Sequence, residues 1–318
     1  MGLLDWARTL FTTAFYSSAC VVSLAVVALY VKQDNLLYHP TIQNMPKSPS
    51  KNPAGYRSPA DYNIPFTSVN IPCADGVSIH AWFLLHRDSL SARRPTLIFY
   101  HGNAGNIGFR LPNSQKMFSL GFNVLQVEYR GFGDSDAVPP SETGLKLDAE
   151  ASLQFIMDHA QIDKSKVFLF GRSLGGAVAF HLAAYCESKN IKLAGVIVEN
   201  TFLSIAKMVD QLMPLVAPLK PLVLRIGWDS EKIVPLLKTP ILYLAGGSDE
   251  LVPHSHMISL YKQSTSSSKA ALYVVPDGTH NDTWVRGGPK YWEAFKAFVE
   301  EVAGRGAGGG EDARGDGA

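Results

Sequence analysis

Hydrophobic and polar residues are arranged along this chain in more than one way. Residues 9–31 form one long stretch without a charged side chain. Further along, short apolar runs alternate with segments in which apolar residues recur every third or fourth position, as in residues 145–159. Such short runs indicate buried strands, and the longer periodicity indicates amphipathic helices. The predicted strands cover residues 67–70, 77–85, 97–100, 124–127, 167–170, 196–198, 241–244 and 272–275.

The order of these segments predicts an α/β fold. Residues 67–70 and 77–85 are joined through an Asp-Gly pair, which favours an antiparallel hairpin. The later strands alternate with helices, and this implies a mainly parallel sheet covered by helices on both faces. We therefore expect one large domain over residues 36–303, preceded by a separate N-terminal segment, residues 1–35.

Two parts of the chain depart from this alternation. Residues 201–238 contain too many prolines for a single helix. This segment either packs on the sheet or forms a small lid-like insertion that lines a pocket or touches a membrane. Residues 304–318 are rich in glycine, with mixed charges and no large apolar side chain, and are predicted to be a disordered tail.

The uncharged stretch near the N-terminus is long enough to cross a membrane. As a helix, residues 9–31 would span roughly 35 Å, against a hydrocarbon core of about 30 Å. The run continues through Tyr30 and Val31 to Lys32, which favours an uncleaved transmembrane helix over a cleaved signal peptide. We expect residues 1–35 to be a single-pass anchor in an endomembrane or the plasma membrane, with the bilayer as its partner.

The charge and the cysteines of the chain exclude few further functions. The 318-residue chain has a formal net charge of +1, which gives no reason to expect nucleic acid as a partner. Arg8 precedes the predicted span and Lys32, Lys47 and Lys51 follow it, so the positive charges favour a cytoplasmic domain by a small margin and leave the orientation open. The three cysteines are too scattered for a disulfide framework or a zinc site, and no metal or cofactor is expected.

The strongest chemical motif is a serine between two glycines. Ser173 lies between Gly171 and Gly175, directly after the strand at 167–170 and directly before a helical segment. This context is typical of a nucleophile elbow, a sharp turn that exposes the serine Oγ above the sheet and tolerates only small neighbours. Ser173 is therefore the predicted nucleophile.

A serine nucleophile needs a general base and an acid that orients the base. Asp249 lies in the loop after the strand at 241–244, and His280 lies in the loop after the last strand. The chain order serine, acid, histidine is the order found with an elbow of this type. Glu199 and Glu250 are rival candidates for the acid. Asp249 is preferred because it follows the penultimate strand by a short turn.

Two backbone amides are candidates for the oxyanion hole. One belongs to Leu174, which directly follows the nucleophile. The other comes from the glycine-rich loop after the strand at 97–100, where Asn103 is the predicted donor. The alternatives for this loop are a plain turn and a dinucleotide-binding loop. Its G-x-x-G-x-x-G spacing disfavours the dinucleotide site, which requires G-x-G-x-x-G.

Arg130 lies in another loop, residues 129–133, after the strand at 124–127. In a structural turn it would stabilise the loop. An accessible guanidinium could instead clamp a substrate carboxylate or phosphate. The residues favour the turn and leave the second role open.

Six blocks of sequence carry a family resemblance: residues 101–106, 129–135, 171–176, 199–202, 249–253 and 280–284. Together they resemble the α/β-hydrolase superfamily. More narrowly, they are similar to the membrane-anchored serine hydrolases related to the yeast bud-emergence hydrolase and the plant wavy-growth protein. The resemblance covers about residues 36–302. It implies an α/β-hydrolase fold, membrane anchorage, a triad at Ser173, Asp249 and His280, and an activity often assigned as protein depalmitoylation.

The sequence therefore predicts a membrane-anchored serine hydrolase that cleaves an ester or thioester through an acyl-enzyme. The expected substrate is an acylated protein or lipid, and the resemblance points to palmitoyl thioesters. The alternatives are a lipid carboxylesterase or lysophospholipase, a peptidase or amidase, and a non-catalytic membrane scaffold with the same fold. Because every predicted site residue lies beyond Pro40, we expect a chain that begins there to hydrolyse soluble esters.

Overall fold

The computed structural model describes residues 2–88 and 90–307, and these contain one eight-stranded sheet. The strands are β1 (Phe66–Pro72), β2 (Ser78–Leu84), β3 (Thr96–Tyr100), β4 (Asn123–Val127), β5 (Val167–Arg172), β6 (Gly195–Glu199), β7 (Ile241–Gly246) and β8 (Ala270–Val275). Their order across the sheet is β1-β2-β4-β3-β5-β6-β7-β8. β2 pairs antiparallel with both β1 and β4, and all other pairs are parallel. Each predicted strand is present, which confirms the α/β prediction.

Helices cover both faces of this sheet. The α-helices of the described residues are α1 (Leu3–Leu37), α2 (Leu111–Ser119), α3 (Glu142–Asp158), α4 (Leu174–Ser188), α5 (Ile205–Leu212), α6 (Lys220–Val223), α7 (Ser230–Ile233), α8 (His254–Gln263), α9 (Thr283–Arg286) and α10 (Gly288–Ala307). Side chains of α3, α4 and α8 pack in the core on one face, and those of α2 and α10 pack in the core on the other.

The central strands explain why their sequences are continuous apolar runs. Every residue of β3, β4, β5, β6 and β7 is buried, because helices cover both faces. Alternate side chains enter opposite cores, so that Ile98 lies in one hydrophobic cluster and Phe99 in the other. Parallel strands end at the same edge of a sheet. The loops that follow β3, β5, β6, β7 and β8 therefore meet there.

Residues 201–238, which we call the lid segment, connect β6 to β7. They form the short helices α5, α6 and α7 joined by turns, so the prolines prevent a single long helix. The lid segment lies at the carboxyl edge of the sheet, where Phe202 and Ile226 line a cleft beside Ser173.

The surroundings of helix α1 change along its length. Its 35 residues extend roughly 52 Å, and it is long and apolar enough to cross a membrane, with a mean hydropathy of 2.0 in its most apolar window. None of that window is buried inside the protein. The last turns instead contact α6, and Gln33 is only 8% exposed. The helix thus continues past residue 35, and its end packs against the domain that was expected to begin there.

The C-terminal helix ends later than predicted. α10 extends to Ala307, so the first part of residues 304–318 is helical where the sequence predicts a disordered tail. Packing of Phe295 and Phe298 against the sheet fixes this helix, and an established helix extends easily because each added residue adds one hydrogen bond. Residues 308–318 lie outside the described residues.

Candidate active site

Ser173 lies at a sharp turn between β5 and α4. Its backbone has φ 54° and ψ −121°, and such a strained conformation costs about 1–3 kcal/mol. Ser173 N–H donates to Glu199 O at 2.9 Å, and Thr201 Oγ1 donates to Ser173 O at 2.8 Å. A Cβ at Gly171 would lie 2.1 Å from Gly175 O, and one at Gly175 would lie 2.0 Å from a carbonyl oxygen of β3. Close packing therefore explains both glycines of the motif.

His280 connects Ser173 to Asp249. Ser173 Oγ lies 3.0 Å from His280 Nε2, and Asp249 Oδ2 lies 2.8 Å from His280 Nδ1. A carboxylate only accepts hydrogen bonds, so Nδ1 carries the ring proton and Nε2 is left to accept the proton of the serine. The loops after β5, β7 and β8 supply these three residues. The structure thus brings together the three side chains that the sequence singles out.

The carboxylate of Asp249 is also held by hydrogen bonds to the oxygen that does not contact His280. Its Oδ1 accepts hydrogen bonds from the backbone N–H of Leu251 at 2.9 Å and of Val252 at 2.8 Å. The neighbouring carboxylate of Glu250 takes a different position, because its Oε2 accepts the backbone N–H of His280 at 3.0 Å. Glu250 therefore holds the histidine loop, whereas Asp249 contacts the histidine ring.

Glu199, the other rival for the acid, is fully buried below the turn. Its Oε1 lies 3.2 Å from Arg172 Nε, and Tyr291 OH donates to Oε2. Burial raises the pKa of Glu199, which the neighbouring Arg172 partly offsets. These contacts give Glu199 a structural position at the end of β6, without a hydrogen bond to the His280 ring.

Two residues without a predicted role, Asn200 and Arg172, also hold the His280 loop. Asn200 Nδ2 donates to His280 O at 3.2 Å and to Thr283 Oγ1 at 2.9 Å, while its Oδ1 accepts Gly246 N–H at 2.8 Å. Arg172 Nη2 donates to His280 O at 2.9 Å. Their place beside Ser173 and directly after β6, within two of the six sequence blocks, is the signal in the sequence that could have indicated them.

Asn103 and Leu174 both line the cleft beside Ser173. Among the described residues, neither backbone N–H has a protein acceptor, so both are free to donate to an oxyanion. A Cβ at Gly102 would lie 3.7 Å from Ser173 Cβ, which shows how closely the loop passes the serine. The structure places the two predicted donors beside Ser173, the predicted nucleophile.

An apolar cleft of about 310 Å³ opens at Ser173. Thirteen of its seventeen lining residues are apolar, and across residues 2–88 and 90–307 no carboxylate lines it. A cleft of this kind suits a hydrocarbon chain better than a charged group. The lid segment supplies Phe202, Ile205, Met208, Val209, Leu212, Met213, Leu224 and Ile226.

The end of α1 forms another wall of this cleft, through Gln33, Leu36 and Leu37. Gln33 Oε1 accepts the backbone N–H groups of Arg225 at 2.9 Å and Ile226 at 3.1 Å. Its Nε2 donates to Val223 O at 2.9 Å. One buried amide therefore joins the apolar helix to the backbone of the lid segment.

Residues 37–39 also pair with the loop that carries the proposed oxyanion donor. Asn103 Nδ2 donates to Leu37 O at 2.8 Å, His39 N–H donates to Asn103 O at 2.8 Å, and Gly105 N–H donates to His39 O at 3.2 Å. A chain beginning at Pro40 would lack these partners and one wall of the cleft. The N-terminal segment therefore contributes contacts to the site, and the activity of a chain that begins at Pro40 stays a prediction.

Arg130 is a structural residue. Its Nε donates to Asp148 Oδ1 at 2.8 Å, its Nη1 donates to Asp75 Oδ2 at 2.6 Å, and its side chain is 5% exposed. Because both carboxylates already occupy the guanidinium, the role of a substrate clamp is not supported.

A buried pair lies below the oxyanion loop. His101 Nδ1 donates to Gly102 O at 2.8 Å, and its Nε2 lies 3.5 Å from Glu128 Oε1. Burial and the nearby Arg110 lower the pKa of His101 to about 3, and burial raises the pKa of Glu128 well above its ordinary value. His101 is therefore neutral near pH 7, and the loop rests on an uncharged ring.

Comparison with known proteins agrees with this architecture. A family model described as serine aminopeptidase, S33, matches residues 91–228. The esterase Pf2001 of Pyrococcus furiosus aligns with a TM-score of 0.63 and 18% identity, over 85% of this chain and 98% of that chain. At this identity the likeness shows the fold alone.

Relatives in plants and yeast match most of the chain. The alpha/beta hydrolase domain-containing protein WAV2 of Arabidopsis thaliana is 34% identical over 308 residues, covering 93% of this chain and 96% of that protein. The uncharacterized membrane protein YNL320W of Saccharomyces cerevisiae is 35% identical over 288 residues, covering 88% of this chain and 93% of that protein. These matches confirm the resemblance drawn from the six sequence blocks. The chain therefore belongs to the α/β-hydrolase family, as a relative of WAV2.

Proposed function

We propose that this protein is a serine hydrolase, held in a membrane by α1, that cleaves fatty-acyl esters or thioesters, with S-acylated proteins as the preferred substrates. One observation carries the proposal: Ser173 Oγ lies 3.0 Å from His280 Nε2 at the end of a largely apolar cleft. The contact between the serine and the histidine can activate an oxygen nucleophile. The apolar cleft can hold the hydrocarbon chain of a substrate next to it.

The reaction proceeds through an acyl-enzyme. Ser173 Oγ attacks the acyl carbonyl carbon while its proton passes to His280 Nε2, and Asp249 stabilises the imidazolium. The carbonyl oxygen becomes an oxyanion that accepts the N–H groups of Asn103 and Leu174. The bond to the leaving sulfur or oxygen then breaks, and His280 returns the proton to the leaving group. Water, deprotonated by His280, hydrolyses the acyl-enzyme in the same manner and restores the serine.

Two observations support the membrane part of the proposal. The apolar window of α1 has no residue buried inside the protein, so its side chains need another apolar environment. The yeast relative YNL320W is named a membrane protein. Because Gln33 and Leu36 line the cleft, an intact helix also fits the site better than a signal peptide that is cleaved away.

A peptidase is the second candidate, favoured by the description of the matching family model as a serine aminopeptidase. Such an enzyme must bind the ammonium group of a peptide, for which a carboxylate is the usual partner. In the described part of the chain the cleft has no aspartate or glutamate among its lining residues. We therefore favour acyl substrates over peptides.

Labelling and turnover of the purified full-length protein in nanodiscs test the proposal. The wild type should react with a fluorophosphonate and hydrolyse an S-palmitoyl peptide and a lysophospholipid faster than an aminopeptidase substrate. Ser173→Ala should lose labelling and about 10⁶-fold in turnover, because the nucleophile is absent. Ser188→Ala, at the other end of α4, is the matched control and should behave as wild type.

The results separate the candidates. Turnover retained by Ser173→Ala would exclude Ser173 as the nucleophile. A wild type that is labelled but prefers the peptide substrate would make the protein a peptidase. A folded wild type with neither labelling nor turnover would favour a non-catalytic scaffold.

A further inference from the structure

The outer side of the lid segment is unusually apolar. Residues 212–224 contain one charged residue, Lys220. Four of its large apolar side chains face solvent: Leu215 is 94% exposed, Leu222 71%, Leu212 51% and Met213 38%. Single exposed apolar residues are common in proteins, but a group of this size within one short segment marks an interaction surface. We call residues 212–224 the lid edge.

The cation of the lid edge, Lys220, and Arg225, which directly follows the lid edge along the chain, are already paired. Lys220 Nζ forms an ion pair with Asp210, and Arg225 Nη2 forms one with Asp34 of α1. The Arg225 Nε donates to the Tyr30 carbonyl oxygen at 3.2 Å. This surface therefore offers apolar area without a strong net charge, and its partner should be apolar rather than anionic.

The lid edge is continuous with the apolar surface of α1. A small apolar cleft joins them, lined by Leu29, Gln33 and Leu36 on the helix and by Val209, Met213, Val216, Lys220, Val223 and Leu224 on the lid segment. Leu29 belongs to the uncharged stretch 9–31 that is proposed to lie in the bilayer. The lid edge therefore contacts α1 at the level where the helix would leave the hydrocarbon.

We infer that the lid edge inserts into the boundary between headgroups and acyl chains of the same phospholipid bilayer that holds α1. Apolar segments that lie in a membrane interface reach about 5–10 Å into this boundary. The inference rests on the proposed anchorage of α1. A fluid bilayer can cover both the exposed apolar part of α1 and the lid edge, because the two form one continuous apolar surface on the protein.

This insertion defines the route of the substrate. Leu36 of α1 and Leu212 and Met213 of the lid edge line the cleft that ends at Ser173, and all three are exposed to solvent. With the lid edge in the bilayer, the mouth of the cleft opens into the acyl-chain region. A fatty chain then passes from the membrane to the nucleophile without crossing water, which restricts the enzyme to substrates whose chain lies in the same leaflet.

Site-specific fluorescence tests the insertion directly. The full-length protein carries Cys20→Ala, which leaves Cys73 and Cys186, both buried, as the native thiols. One further cysteine is introduced at a time and labelled with the polarity-sensitive dye NBD. The positions are Leu215 and Leu222 on the lid edge, Leu24 in α1, and Leu90 as a control. Leu90 is 53% exposed and precedes β3, at the sheet edge opposite Ser173. Measurements use phosphatidylcholine nanodiscs with and without nitroxide-labelled lipid.

The lid-edge probes should be blue-shifted and quenched severalfold more than the Leu90 probe. If they match Leu90 while the Leu24 probe is quenched, the lid edge stays in water and the inference is overturned, although the anchor stands. If the Leu24 probe is also unquenched, the proposed anchorage fails as well. The two failures are therefore distinguishable.

Turnover supplies a second test. The double variant Leu215→Glu with Leu222→Glu should lose at least about tenfold on an S-palmitoyl peptide in nanodiscs, because charged side chains are expelled from the acyl boundary. It should keep wild-type labelling by a fluorophosphonate and wild-type hydrolysis of p-nitrophenyl acetate, since neither residue lines the cleft. Leu90→Glu is the control. Unchanged hydrolysis of the membrane substrate would overturn the inference.

Discussion

The two sides of the cleft are built in different ways. On one side, Ser173, Asp249 and His280 lie on short loops after β5, β7 and β8, and hydrogen bonds with backbone groups fix each of them. On the other side, the wall consists of the end of α1 and the short helices of the lid segment, joined by the hydrogen bonds of Gln33 and the ion pair between Arg225 and Asp34.

This difference separates chemistry from substrate selection. The sheet side must hold reacting atoms within a fraction of an ångström, and a rigid core provides that precision. In the proposed function the lid side needs only to present apolar surface to a hydrocarbon chain. A segment joined to α1 could do so where such chains are abundant, if the helix lies in a membrane as proposed. Changes on the sheet side should therefore affect every substrate, and changes on the lid side should affect long acyl chains most.

The largest effect is expected from the acid on the sheet side. Asp249→Asn should lower kcat about 10⁴-fold on any ester, because an amide at this position no longer holds the imidazole in its productive tautomer. Glu250→Gln is the matched control, since a glutamine oxygen can still accept the His280 N–H, and it should lose less than about tenfold. Steady-state kinetics on p-nitrophenyl butyrate measures both. Equal losses would remove the distinction between the two carboxylates.

A pair of shortened chains tests whether the lid side depends on α1. A chain beginning at Pro40 should lose about 10²-fold in kcat/KM on p-nitrophenyl butyrate, because the cleft wall and the partners of Asn103 are gone. A chain beginning at Lys32 keeps Gln33 and residues 36–39 and should stay within about tenfold of wild type. Similar activities in two folded proteins, checked by circular dichroism, would show that α1 serves only as an anchor.

A single substitution tests the contact between α1 and the lid segment. Gln33→Leu removes three hydrogen bonds to the lid backbone and should lower kcat/KM on long-chain esters about tenfold, with a smaller loss on p-nitrophenyl acetate. Gln43→Leu, at an exposed position nearby, is the matched control and should have no effect. An equal loss on short and long chains would mean that Gln33 supports the whole site rather than the acyl wall.

Mild acid should act on the sheet side. The pKa values of His101 and His181 are lowered by burial to about 3 and about 4, so between these values and the unfolded value near 6.5 only the unfolded chain binds their protons. The contribution of these two histidines to stability is therefore lost as the pH decreases below 6.5. Buried carboxyls such as Glu128, whose pKa is raised, act in the opposite direction, so the variant is compared with the wild type. We expect the drop in Tm between pH 6.5 and pH 4.5 to be smaller in His181→Gln than in the wild type by several degrees. Scanning fluorimetry at both pH values measures this, and an identical drop in the variant would exclude His181.

The chemistry of this protein is visible in its sequence. An elbow serine, an aspartate and a histidine each follow a short apolar strand, and a parallel sheet brings the carboxyl ends of its strands to one edge. Local residue type and chain order were therefore enough to predict the fold and to place Ser173, His280, Asp249 and the oxyanion loop together. The same local patterns indicated that residues 201–238 could not form one helix.

Other features depend on contacts that leave no local pattern. The sequence could not show that Glu199 pairs with Arg172 and Tyr291, because three separate segments meet at that point. It placed a domain boundary at residue 35, whereas Gln33 binds backbone groups 190 or more positions away. Hydropathy measures only whether a helix suits a membrane. Which of its residues bind the folded domain is decided by the packing of distant backbone groups, and those come together only in the tertiary structure.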